Sequence, residues 1–298
     1  MPNSTTHVSV ARTSAETPLW RQIWEFPVIA MVAALAVLAV TEFAFSKLAG
    51  LLPGIIDGDG AVVIGGILAL ALIVAVNKLV FARLGYVKHD DLPGDSAVGD
   101  SMLGIFVGSA VLSAIVGLAA AFGLYRAQTY GAAGDFAAII VQGALVSAVF
   151  QEVLFRGIIL RLLVPITGSL LALLLSCAAY AAFFAGTTGA DWPVAIMVAV
   201  STGLLFGGCY LLTENLWLAI GAHIGWNLAL GLVWGMPIMG VQYQGFLDAA
   251  VNGPLWLTGG YLGLQASALA LIVAGAAGVW MILQTRGEDR LIAPFWSR

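Results

Sequence analysis

Long apolar stretches separated by short polar ones run through the chain from residue 27 onward. A helix needs about 20 apolar residues to cross the ~30 Å hydrocarbon layer of a bilayer. Eight stretches approach that length: Pro27–Phe45, Ala61–Ala82, Met102–Tyr125, Phe136–Leu163, Ser169–Ala185, Val194–Leu212, Leu216–Gly235 and Leu262–Leu283. Backbone amides in lipid find no water, so each segment must satisfy its own, which predicts helices. The implied fold class is all-α, a polytopic membrane bundle of about eight transmembrane helices. Residues 1–26 are polar, contain Arg12 and Arg21, and lack a short apolar region with a small-residue cleavage site, so they read as an N-terminal tail. Residues 27–285 read as one transmembrane domain and 286–298 as a second tail. The Arg83–Ser101 stretch reads as a loop in which Asp90 and Asp91 are solvated, and Met236–Tyr261 as a loop on the opposite side.

Charge adds sidedness. An even number of spans puts both termini on one side. Arg12, Arg21, Lys78, Arg83, Lys88, Arg156, Arg161, Arg286, Arg290 and Arg298 fall on or toward that side, and only Lys47 and Arg126 fall on the other. The positive-inside rule then predicts a multi-pass protein of the cell membrane with both termini cytoplasmic. Composition agrees with a lipid environment: the 298 residues are 61% hydrophobic and 9% charged, against roughly 25% charged in globular chains. The formal charge of −4 offers no basic patch for a polyanion, so the expected partner is the bilayer and not nucleic acid. Cys177 and Cys209 lie inside apolar runs and read as small core residues. Glycines recur four apart at Gly104/Gly108, Gly203/Gly207, Gly221/Gly225 and Gly231/Gly235, a spacing that lets helix backbones approach closely.

Ionisable groups within spans are costly and are functional candidates by default. Glu152 and Arg156 in the fourth span are four apart, one helical turn, with the acid N-terminal to the base. That spacing fits an intrahelical ion pair, with Arg156 in a structural role. His223 and Asn227 in the seventh span are also four apart and share a face, where they could orient a water or donate to a developing oxyanion. At 1.5 Å rise per residue, Glu152 lies about 16 Å, and His223 about 10 Å, from the terminus-side ends of their helices. Those depths are comparable enough for a shared buried site.

The fourth span reads Phe150-Gln151-Glu152-Val153-Leu154-Phe155-Arg156-Gly157, and the seventh reads Ala222-His223-Ile224-Gly225-Trp226-Asn227. In that order they resemble the motifs of the CPBP family of intramembrane endopeptidases, from about Val141 to Leu230. That family includes CAAX-prenyl proteases and bacteriocin-processing or self-immunity proteins. Its motifs are Glu-Glu-x-x-x-Arg, Phe-x-x-x-His and His-x-x-x-Asn. The resemblance implies a glutamate-activated water that attacks a peptide bond of a lipidated or transmembrane substrate, with His and Asn side chains holding the water or stabilising the oxyanion. Carried onto this chain it makes Glu152, His223 and Asn227 the expected catalytic positions. Gln151 stands where the family's first Glu falls, and Phe184 where the histidine of the second motif falls. An amide cannot act as general base, so hydrolysis is expected to be weak or absent. An inactive binder of membrane peptides, of chaperone or immunity type, is the alternative. A transporter is a second alternative, against which stands the lack of an internal repeat. No cofactor is expected. Nor is a metal, because a catalytic site typically needs three protein ligands and one intramembrane His with Glu152 gives two.

Overall fold

The computed structural model describes residues 18–51, 56, 58–85, 88–132, 134–287 and 290–297. Its helices are α1 (Leu19–Glu25), α2 (Pro27–Ala49), α3 (Asp59–Leu79), α4 (Ala97–Ala121), α5 (Ala138–Thr188), α6 (Trp192–Thr213), α7 (Trp217–Val233), α8 (Leu255–Thr258) and α9 (Ala268–Gly287). Among the described residues six helices are long and apolar enough to cross a membrane, and α7 is a shorter apolar one. The protein is a multi-pass, all-α membrane bundle.

The fourth and fifth expected spans are joined differently from the reading above. No unstructured connection separates them; α5 is one run of 51 residues that turns at Gly168, whose φ of 75° and ψ of 168° are non-helical. Glycine is required there, because a Cβ would lie 2.7 Å from the Ile292 carbonyl oxygen and the Pro294 nitrogen. The two halves of α5 fold back on each other: the Ser176 hydroxyl donates to the Phe155 carbonyl at 2.9 Å, and Phe155 packs on Tyr180 and Phe183. The eight expected spans therefore fall on the five other long helices, the two halves of α5, and the shorter α7.

Two features of the fold were not expected from the pattern. Tyr125–Tyr130 (β1) and Leu247–Val251 (β2) form an antiparallel ribbon that runs from the Tyr125–Val251 pair to the Tyr130–Leu247 pair, with an irregularity between Ala127 and Thr129. Asp91 is fully buried rather than solvated: the Tyr210 hydroxyl donates to it at 2.8 Å and Arg161 Nε lies 3.1 Å away. Asp90 keeps its exposure and pairs with Lys78 at 3.0 Å.

Burial runs from the inside out. In α6, 72% of the most apolar window is buried, whereas in α2 and α3 the values are 17% and 22%. The outer helices present Val40, Phe43, Ile67 and Phe106 to the surroundings. Apolar faces of that extent belong against lipid. The inner helices meet through small residues, and α4 packs most extensively against α7. A Cβ on Gly104 or Gly108 would run into the backbone of residues 218–226, and one on Gly221 or Gly225 into that of Ser101 or Ile105. The Gly203/Gly207 pair faces the side chains of Cys177 and Leu173 instead.

Candidate functional site

Helix α5 departs from regular α geometry around the residues singled out above. Ala138–Val146 and Val153–Leu160 are π-helical, flanking the α-helical turn Ser147–Glu152, and Leu228–Val233 of α7 is π-helical as well. A π turn shifts the backbone bond from i−4 to i−5 and recurs at functional sites. Here the wide turns follow directly on Glu152 and on Asn227.

Glu152, Arg156 and His223 converge. Glu152 is fully buried, Arg156 is 2% exposed and His223 4%. One carboxylate oxygen, Glu152 Oε1, receives Arg156 Nη1 at 3.0 Å and lies 2.7 Å from His223 Nδ1. Arg156 Nη2 also donates to the Gly203 and Thr202 carbonyls of α6, at 3.2 and 3.4 Å. Phe206 of α6 stacks on the His223 ring, 4.5 Å between centroids and 17° between planes, and faces the Arg156 guanidinium at 5.7 Å. α6 therefore supplies two acceptors and a ring that hold the acid–base group from a third side. Sequence reasoning missed these contributions, because carbonyls and a phenylalanine in an apolar span carry no polar signal.

The remaining expected positions lie apart from that contact. Asn227 donates from Nδ2 to the Gly143 carbonyl in the first π segment, at 2.8 Å. Gln151 is 3% exposed and donates to the Ser147 hydroxyl at 2.7 Å. Phe184 is fully buried in a second apolar cluster with Phe155, Tyr180, Ala195 and Leu262, and meets Tyr180 edge-on at 6.1 Å. Glu152 Oε2, Arg156 Nε and Gln151 Oε1 are buried without a hydrogen-bond partner. Among the described residues no group of three or more His, Cys, Asp or Glu side chains converges in a way that could hold a metal ion.

A buried acid, base and imidazole are thus shared between two helices of a membrane bundle. Residues 133–229 match the family described as type II CAAX prenyl endopeptidase Rce1-like. That segment is 97 of the 298 residues and holds Glu152, Arg156, His223 and Asn227. No curated protein and no solved structure matches the chain.

Proposed function

We propose that the protein is a CAAX-endopeptidase-type membrane protein that holds lipidated or transmembrane peptides at the Glu152–His223 site and hydrolyses them weakly or not at all. The observation that carries this reading is the bonding of Glu152 itself. Its Oε1 is already engaged by both Arg156 and His223, so that oxygen is held by the protein's own side chains and is not presented to an attacking water. The neighbouring Gln151 amide contributes no base, and Phe184 contributes no ring nitrogen. His223 Nε2 and the second Nδ2 hydrogen of Asn227, beyond the bonds to Glu152 and Gly143, are the groups that could orient a peptide carbonyl. In this reading both termini face the cytoplasm, and the bundle resides in the cell membrane.

The 2.7 Å contact between Glu152 and His223 favours a second reading, in which these two alone form a reduced catalytic pair and turnover is slow but real. Purified protein incubated with prenylated and unmodified membrane peptides separates the two. Peptide binding without cleavage is the expected result. Cleavage that disappears in Glu152→Gln and in His223→Ala would overturn it in favour of the reduced pair.

A further inference from the structure

Buried polar atoms without partners are uncommon in folded proteins, and each one calls for an explanation. Among the described residues such side-chain atoms are Asn77 Nδ2 and Oδ1, Asp91 Oδ2, Ser96 Oγ, Gln151 Oε1, Glu152 Oε2, Arg156 Nε and Arg161 Nη1. Leaving aside Ser96 and Gln151, they follow one line along α5 and the residues packed on it. It begins at Asp91, beside the partly exposed His89, whose Nε2 lies 3.8 Å from Asp91 Oδ1. Arg161 comes next. Its Nε spends its hydrogen on the Gly157 carbonyl at 2.7 Å while lying 3.1 Å from Asp91 Oδ2, and its Nη2 donates to the Phe81 carbonyl at 2.7 Å.

Asn77 sits one turn before Phe81, fully buried in α3, and both ends of its amide lack a partner. A Cβ on Gly157 would lie 3.7 Å from Asn77 Nδ2 and 4.0 Å from the Glu152 carbonyl oxygen. The amide therefore stands beside the wide turn that links Arg161 to Glu152 and Arg156. Gly157 adds no side chain there; the Leu216 side chain comes closest, its Cδ1 3.3 Å from that Cβ, and borders the Asn77 amide.

We propose that this line is a hydrated passage. Internal waters enter beside His89 and Asp91, bridge Arg161 and Asn77, and reach Glu152 Oε2. A buried water needs two to four polar partners, and the line supplies donors at Arg161, Arg156 and Asn77 and acceptors at Asp91, Asn77 and Glu152. Asn77 is thereby a lining residue of the site, with water as its ligand. The inference goes beyond the proposed function: it concerns access of water to a buried charge, whether or not a peptide is cut.

The test uses cysteine labelling in a Cys177→Ala, Cys209→Ala background. Asn77→Cys is compared with Ile73→Cys, one turn deeper on the buried side of the same helix. A dry position must wait for local opening before a small charged methanethiosulfonate reaches it, so Asn77→Cys is expected to react about tenfold faster or more. Equal, slow labelling at both positions would overturn the passage. Hydroxyl-radical footprinting of the unaltered protein covers the case in which a variant fails to fold. Phe81 and Leu216, which border the line, should be oxidised well above the equally buried Leu112 and Ile115. Oxidation no higher than at those controls would refute the idea. Neither readout requires turnover, so failure of the passage and failure of the assigned peptide site are told apart.

Discussion

Arg156→Met tests the ion pair at the centre of the site. The wild-type guanidinium donates to Glu152 at 3.0 Å and to two α6 carbonyls at 3.2 and 3.4 Å. Removing it leaves Glu152 buried against His223, 2.7 Å from its Nδ1. Breaking a buried pair by deleting one member costs about 3–5 kcal/mol, because the other charge stays uncompensated. The two carbonyl bonds add little, since side-chain hydrogen bonds inside membranes average about 0.6 kcal/mol. The expected loss is therefore about 3–5 kcal/mol, most of it from the stranded carboxylate. Neutralising the partner as well removes that charge, so Glu152→Gln/Arg156→Met should recover about 2–3 kcal/mol of the loss. The assay is reversible unfolding in mixed micelles or bicelles for the wild type, both single variants and the double. A loss below about 1 kcal/mol for Arg156→Met, or single effects that add within about 0.5 kcal/mol, would refute the reasoning.

Gly108→Val should force α4 away from α7, because its Cβ would meet the Ala222 carbonyl and lie 2.9 Å from the Trp226 nitrogen. Overpacking of this kind costs about 1–3 kcal/mol or more, read as a lowered Tm in detergent, while Gly117→Ala, with open space around its Cβ, should match the wild type. The Gln151→Glu/Phe184→His double variant restores the residues that the family motifs carry, and peptide cleavage above the wild-type level is expected; a folded double variant with no gain would show that more than these two groups separates the chain from an active enzyme. Asp91 gives a pH prediction. Burial pushes its carboxyl above the usual range, against the opposing pull of Arg161, His89 and the Tyr210 hydroxyl. A raised folded value means stability that is fully present below the unfolded pKa, about 3.9, and is lost as pH climbs through the folded one. Asp91→Asn cannot ionise, so its stability relative to wild type should rise as pH increases from about 4, measured by unfolding at several pH values. A relative stability that falls over that range would contradict the assignment.

What the sequence determined by itself followed from local chemistry. The cost of unsatisfied amides in lipid makes each apolar run a helix, so the helical membrane bundle was legible, as was the i, i+4 pairing of Glu152 with Arg156. The motifs named the family core that residues 133–229 match. Tertiary structure alone decided the rest. The hairpin at Gly168 depends on contact with residues 292–294, far away in the chain. The burial of Asp91 comes from Arg161 and Tyr210, which arrive from α5 and α6. The bond between Glu152 and His223 spans 71 residues, and the ring that stacks on that histidine is an ordinary apolar Phe206 in the sequence. Period and composition report what a residue does to its own segment. Which segment it meets is fixed by packing, and at this site packing sets the partners of every charge.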